Sequence, residues 1–166
     1  GQGDVGETIT VTASYTDDLG TEESVASTAT SAVANVNDAP TGSVTITGTA
    51  TQGQTLTASN NLDDADGLAG TITYTWSNGN GTGSEITLGQ GDVGETITVT
   101  ASYTDDQGTS ESVASSATSA VENVNDDPTG SVTISGTATQ GETLTASNTL
   151  ADVDGLGTIT YTWSNG

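Results

Sequence analysis

Apolar residues in this chain alternate with threonine and other polar residues over short runs, the pattern of half-buried β-strands. In residues 39–126 the inward-facing apolar positions are Val44 and Ile46; Leu56 and Ala58; Ile72, Tyr74 and Trp76; Ile86 and Leu88; Ile97, Val99, Ala101 and Tyr103; and Val113, Ala117 and Val121. The fifth run predicts the longest strand and the sixth a weaker one. About seven short strands joined by turns predict an all-β fold, an immunoglobulin-like antiparallel β-sandwich.

The chain also repeats itself with a period of 88 residues. Residues 1–12 return unchanged as residues 89–100, and the 78 residues that occur twice differ by ten substitutions and one deletion, at Ala69. A period this long predicts a tandem array of small domains joined end to end. We expect the last strands of one β-sandwich in residues 1–38, a complete repeat in 39–126 and the first strands of another in 127–166. Because the sequence opens within a repeat, we expect it to belong to a longer array.

Charge narrows the range of ligands. The sequence has 22 Asp and Glu residues and no Lys, Arg or His, for a net charge of −22. A chain without cations is not expected to bind nucleic acid, and no apolar run approaches the ~18 residues of a membrane span. Bound cations would relieve the repulsion between carboxylates. Ca²⁺ fits best, because it takes oxygen ligands, whereas zinc and copper favour His or Cys. The alternative is that the acidity only keeps a secreted repeat soluble.

The predicted topology brings several acidic segments to one end of the complete repeat. These are the connector 37–40 and the loops 63–67 and 105–108, with turn 4–7 of the preceding repeat opposite them. The candidate metal ligands are Asn37, Asp38, Asp64, Asp66, Asp105 and Asp106, and at the next junction Asn125, Asp126, Asp152 and Asp154, with Asp92 and Glu95 below. Asp63 is replaced by Ala151 in the second copy, so the Asp-x-Asp-Gly unit is the stronger candidate. Ordinary turns and linkers are the alternative, since Asp and Gly populate them.

Several motifs carry a family resemblance. The connector Asn-Val-Asn-Asp-Ala-Pro (35–40) resembles a cadherin linker, although it begins with Asn and the cadherin acidic-Arg-Glu element has no match. With its Asp-x-Asp-Gly-Leu loop, Tyr-x-Trp strand and Tyr-Thr-Asp-Asp-x-Gly segment, the whole repeat resembles the immunoglobulin-like repeats of giant bacterial RTX-type surface adhesins. The resemblance implies an extracellular extender without catalytic activity and calcium at the interdomain joints. The calcium ligands that this resemblance implies are Asn37, Asp38, Asp64, Asp66, Asn125, Asp126, Asp152 and Asp154.

Other functions stay open at this stage. Residues 1–38 and 127–166 of neighbouring chains could complete one another by strand complementation, giving an extracellular filament or biofilm-matrix fibre. A carbohydrate- or protein-binding module that uses avidity across its copies is a further alternative. Tyr74 and Trp76 are predicted to be core residues rather than a sugar platform, because they alternate with threonine. Paired carboxylates can catalyse hydrolysis, but these recur in every repeat without a His or Lys, so no enzyme is expected.

Overall fold

The fold is all-β, as predicted, in a computed structural model that describes residues 1–165. Its strands are β1 Thr12–Thr16, β2 Glu22–Ala26, β3 Val44–Thr47, β4 Thr55–Asn60, β5 Ala69–Trp76, β6 Glu85–Thr87, β7 Val99–Thr104, β8 Ser110–Ala114, β9 Val132–Ser135 and β10 Thr145–Asn148. Three short 3-10 turns, at Gln2–Asp4, Ser77–Gly79 and Gln90–Asp92, are the helical elements of the described chain. None of these has the length and apolar character that a membrane-spanning helix needs.

Residues 39–126 form two three-stranded antiparallel sheets around one core. The first sheet has the order β3-β4-β6 and the second the order β5-β7-β8. Alternate side chains of both sheets point inward, as the period of two requires. The core consists of Val44, Leu56, Ala58, Leu62, Trp76, Ile86, Leu88, Ile97, Val99, Ala101, Tyr103 and Val121. Two sheets that share a core in this way are consistent with a β-sandwich.

The predicted inward faces of the central strands are confirmed. Trp76 is buried, and its indole Nε1–H donates to the Gly83 carbonyl at 2.8 Å. Ile72 and Tyr74 lie on the same face and pack against the core, while threonines occupy the positions between them. The strand-forming alternation is therefore also the packing pattern, because the branched threonines suit the outer face of a pleated sheet.

Two strand predictions were wrong in extent. The longest strand is β5 with eight residues, whereas β7 has six and begins only at Val99. Ile97, ahead of β7, is fully buried, but its N–H donates to the Thr118 hydroxyl at 3.0 Å. The predicted last strand, β8, ends at Ala114. Beyond Ala114, the hydroxyls of Ser115 and Thr118 accept the N–H groups of Val99 and Ile97, which backbone carbonyls would accept in a regular strand pair.

A seventh strand is reduced to isolated contacts. Val121 forms a parallel bridge with Val93, and Glu122 forms one with Thr51, so residues 121–122 touch the fold at two points without joining a sheet. The complete repeat therefore has six regular strands, where about seven were predicted. Val121 remains a core residue, which explains why the apolar pattern extended to it.

The half-repeats at either end keep the strand pairing but not the burial. Hairpin β1/β2 has the register of β7/β8, and β9/β10 that of β3/β4, each shifted by the 88-residue period. Val99 has no exposed surface, whereas its counterpart Val11 is 71% exposed. Local alternation of apolar and polar residues is therefore enough to form the hairpins. Burial of the apolar side chains needs a second, facing sheet, which is present within residues 39–126 but not in the half-repeats of the described chain.

Candidate functional site

The first acidic loop, residues 63–67, follows β4 and is held together by hydrogen bonds to Asp64. Asp64 Oδ1 accepts a hydrogen bond from the Asp66 N–H at 2.9 Å, and the Asp64 carbonyl accepts the Gly67 N–H at 3.0 Å. This is the self-bonded turn that Asp favours. Gly67 closes it with a φ of +92°, a backbone conformation that L side chains rarely adopt and that favours glycine. Asp64 and Asp66 are both buried as a result.

The second acidic loop joins β7 to β8 and is organised by Asp105. Its Oδ1 accepts the N–H groups of Gln107 at 2.9 Å and Thr109 at 2.7 Å. The Asp106 N–H donates to the Asp66 carbonyl at 3.2 Å and so ties this loop to the first one. The two loops therefore converge at one end of the repeat, where the sequence predicted them to meet.

The connector and the preceding repeat complete what we call the first joint: Gln2, the connector 35–38, and the loops 63–67 and 105–108. The Asp38 N–H donates to Asp66 Oδ2 at 2.6 Å, and the Gln2 amide donates to Asp66 Oδ1 at 2.7 Å. Asn37 turns elsewhere and donates its side-chain amide to Glu111 Oε1 at 2.8 Å. Asp66 is thus the carboxylate at which the connector, the loop and the preceding repeat meet.

A buried tyrosine links this joint to the core. The Tyr103 hydroxyl donates to Asp64 Oδ2 at 2.6 Å, in a buried contact between β7 and the first loop. Burial first, and then the hydrogen bond to Asp64 and the charge of that carboxylate, raise the pKa of Tyr103. The hydroxyl therefore stays protonated and acts as a donor.

Buried oxygens without partners mark the joints. Within residues 1–165, three buried side-chain polar atoms have no hydrogen-bond partner: Asn35 Oδ1, Gln90 Oε1 and Asp105 Oδ2. All three are oxygens, and all three belong to connectors, turns or loops at a joint. Asp105 is only 2% exposed, and burying an unpartnered carboxylate oxygen is costly. No three acidic side chains of the described residues form a ready-made metal cage, so amide and backbone oxygens would have to share in any ligand set.

A second joint, formed by Gln90, the connector 123–126 and the loop 151–155, repeats the contacts between the glutamine, the connector and the Asp-x-Asp loop. The Asp126 N–H donates to Asp154 Oδ2 at 2.7 Å, and Asp152 Oδ1 accepts the Asp154 N–H at 2.9 Å. The Asp126 N–H, followed by the Asn123 side chain, lowers the pKa of the Asp154 carboxyl, because both hydrogen-bond its charged form. Asn125 donates only to the Asp126 carbonyl, at 3.0 Å.

A glutamine clamps this second connector to the complete repeat. Gln52 Nε2 donates to Asp126 Oδ2 at 3.0 Å, and Gln52 Oε1 accepts the Val124 N–H at 3.0 Å. One side chain therefore holds the connector by two hydrogen bonds. This contact follows from no sequence pattern, because Gln52 lies 74 residues from Asp126.

The structure brings together most of the predicted site residues. Asp38, Asp64, Asp66, Asp105 and Asp106 lie in the linked segments of the first joint. Asp126, Asp152 and Asp154 do so in the second, whereas Asn37 and Asn125 point their amides to other groups. Sequence reasoning missed Gln2, Gln52 and Gln90; the only available signal was that Gln-Gly-Asp recurs at 2–4 and 90–92.

Comparisons of the chain with known protein families, curated proteins and solved structures gave no match.

Tyr103→Phe tests whether the tyrosine supports the first joint. Removing the hydroxyl leaves buried Asp64 Oδ2 without its donor, so we expect a loss of about 1–3 kcal/mol in the free energy of unfolding. Urea unfolding in chelator measures it. Tyr15→Phe is the matched control, because Tyr15 holds the same place in the period but is exposed, and should change stability by less than about 0.5 kcal/mol. Equal losses in both variants would contradict the role given to Tyr103.

Proposed function

We propose that this chain is a non-catalytic extracellular spacer, built of immunoglobulin-like repeats joined end to end and stiffened by calcium at the joints. The 88-residue period, the two-sheet core and the recurrence of the connector and the Asp-x-Asp-Gly loop at both joints support it. Length and spacing grow with the number of copies, whereas an active site needs only one. On this proposal, the spacer would lie between a cell-anchored end and a binding tip, as the sequence resemblance to bacterial surface adhesins implies.

The single observation that carries the calcium proposal is the carboxylate of Asp105. Its Oδ1 accepts two backbone N–H groups, while its buried Oδ2 has no partner beside a loop that holds Asp64 and Asp66. The sequence has no Lys, Arg or His to neutralise these groups. An ionised carboxylate in such a place requires a compensating charge, and a site rich in oxygens suits Ca²⁺.

The ligands would come from separate segments of each joint. In the first joint, Asp105 and Asp106 belong to one loop, Asp64 and Asp66 to another, and Asn37 and Asp38 to the connector. A cation shared among them would neutralise their repulsion and cross-link loops that otherwise meet through few hydrogen bonds. Asn125, Asp126, Asp152 and Asp154 would take the same part in the second joint.

Small-angle X-ray scattering of the chain in calcium and in chelator tests the spacer function. We expect calcium to give a larger maximum dimension and a profile closer to a rigid rod, because cross-linked loops restrict bending between repeats. Potassium chloride at matched ionic strength is the control, since it screens exposed charges without bridging buried ones. An identical change in potassium chloride would contradict a calcium-specific joint.

A further inference from the structure

Gln2 and Gln90 occupy the same position in the period and make the same contact across their joints. Gln2 Nε2 donates to Asp66 Oδ1 at 2.7 Å, and Gln90 Nε2 lies 3.4 Å from Asp154 Oδ1. Each contact spans 64 residues and joins the 3-10 turn of one repeat to the Asp-x-Asp loop of the next. These are the side chains through which the preceding repeat reaches the following loop.

The turn that carries Gln90 is fixed from within its own repeat. Asp92 Oδ2 accepts the Gly89 N–H at 2.8 Å, and Asp92 Oδ1 accepts the Asn80 side-chain amide at 2.8 Å. The Gly94 N–H donates to the Val121 carbonyl at 2.9 Å. Asp92, expected from the sequence to lie at the joint as an acidic neighbour, is therefore occupied in holding the turn, and Gln90 is the residue presented to the next repeat.

The other end of the glutamine amide has no partner. Gln90 Oε1 is buried and accepts no hydrogen bond from residues 1–165, although Nε2 of the same amide faces Asp154 and Asn123. In the first joint, the unpartnered oxygen of Asp105 lies in the loop whose Asp106 N–H donates to the Asp66 carbonyl, and Gln2 donates to the carboxylate of that same Asp66. An amide oxygen is a good ligand for a hard cation.

We propose that Gln2 and Gln90 each connect two repeats through both ends of the side-chain amide, and we call each of them a latch. The amide N–H group holds the carboxylate of the following repeat, and the amide oxygen completes the ligand set of the joint cation. The second part rests on the proposed calcium function, whereas the first does not. Gln rather than Glu suits the position without metal, because a carboxylate 2.7 Å from Asp66 Oδ1 would repel it.

Glutamate substitution separates the two parts, because Gln→Glu removes the N–H donor and keeps an oxygen ligand. The variants are Gln2→Glu with Gln90→Glu, and Gln2→Ala with Gln90→Ala, in the full chain. Gln54→Ala is the matched control, since Gln54 is exposed and its side chain makes no hydrogen bond in the described residues. Spin labels at S24C and S112C report the distance across the first joint by pulsed electron paramagnetic resonance, and a second pair at S59C and S147C reports the distance across the second joint. Each pair joins equivalent exposed positions in successive repeats. Competition with a chromophoric chelator gives the calcium affinity.

In chelator, we expect both double variants to broaden the distance distribution relative to the unchanged chain and Gln54→Ala. In calcium, the Glu variant should recover the narrow distance distribution and bind calcium at least as tightly as the unchanged chain. The Ala variant should bind calcium about tenfold more weakly, because it has lost one oxygen ligand. Unchanged distances and affinity in the Ala variant would overturn the latch. A Glu variant as weak as Ala in calcium would overturn the ligand role alone. If the unchanged chain binds no calcium, the proposed function and the ligand role both fail, and broadening in chelator still supports the hydrogen-bonded latch.

Discussion

Trp76→Ala should lower the free energy of unfolding of the complete repeat by about 3–5 kcal/mol, the cost of removing a large buried aromatic side chain. Trp76 is only 3% exposed, packs between the two sheets and donates its indole N–H to Gly83. Its truncation would leave a cavity within the buried cluster to which it belongs, beside its strand partner Val99. Urea unfolding followed by far-ultraviolet circular dichroism measures the loss.

Trp163→Ala is the matched control for this prediction. Trp163 ends the same Tyr-Thr-Trp sequence in the last half-repeat but is 52% exposed, so we expect a loss below about 1 kcal/mol. Equal losses at low protein concentration would contradict the assignment of the core to residues 39–126. A loss for Trp163 that appears only at high concentration would instead favour assembly between copies of the chain.

Calcium should raise the melting temperature by roughly 10–20 °C over the value in chelator. At a free concentration 100-fold above the dissociation constant, one site adds about 2.7 kcal/mol to the native state. Each kcal/mol shifts the midpoint of a domain of this size by about 4–8 °C. The effect is large because an unfolded chain does not bring the loops around Asp66 and Asp105 together.

Changing Asp64 and Asp66 to Asn should remove most of that rise. Glu85→Gln is the control for loss of an acidic charge, one where the joint variant loses two, because Glu85 is exposed on edge strand β6 and belongs to neither joint. If Glu85→Gln reduced the calcium effect as much as the joint variant did, calcium would be acting by relief of overall repulsion. A binding role for the loop at 63–67 would then be wrong.

Most of the fold could be predicted because apolar and polar residues alternate along each strand. Trp76 and Tyr74 follow the period of two that places them inward, and the structure confirms both on the core side. The strand predicted to run to Val121 ends at Ala114 instead, because the Ser115 and Thr118 hydroxyls accept the Val99 and Ile97 N–H groups. Side-chain hydrogen bonds of this kind compete with a ladder and leave the apolar pattern unchanged.

The candidate site could be predicted in part for a similar reason. Asp64, Asp66 and Asp105 sit in turns whose place follows from strand order, so their convergence could be inferred from topology. Gln2 could not be found this way, because an uncharged residue in a glycine-rich turn carries no chemical signal, and the recurrence of Gln-Gly-Asp does not indicate what the glutamine contacts. Its contact with Asp66 depends on how two repeats meet, which no single repeat specifies.

The most direct test of the calcium-bridged joint is a crystal grown in calcium and measured at a wavelength where calcium scatters anomalously. We expect an anomalous peak about 2.3–2.6 Å from Asp105 Oδ2, with further oxygens of the first joint in the same shell. Such a peak would identify Ca²⁺ as the partner of the buried Asp105 Oδ2. A water molecule at Asp105 Oδ2, with no anomalous peak anywhere in the joint, would contradict the calcium-stiffened spacer.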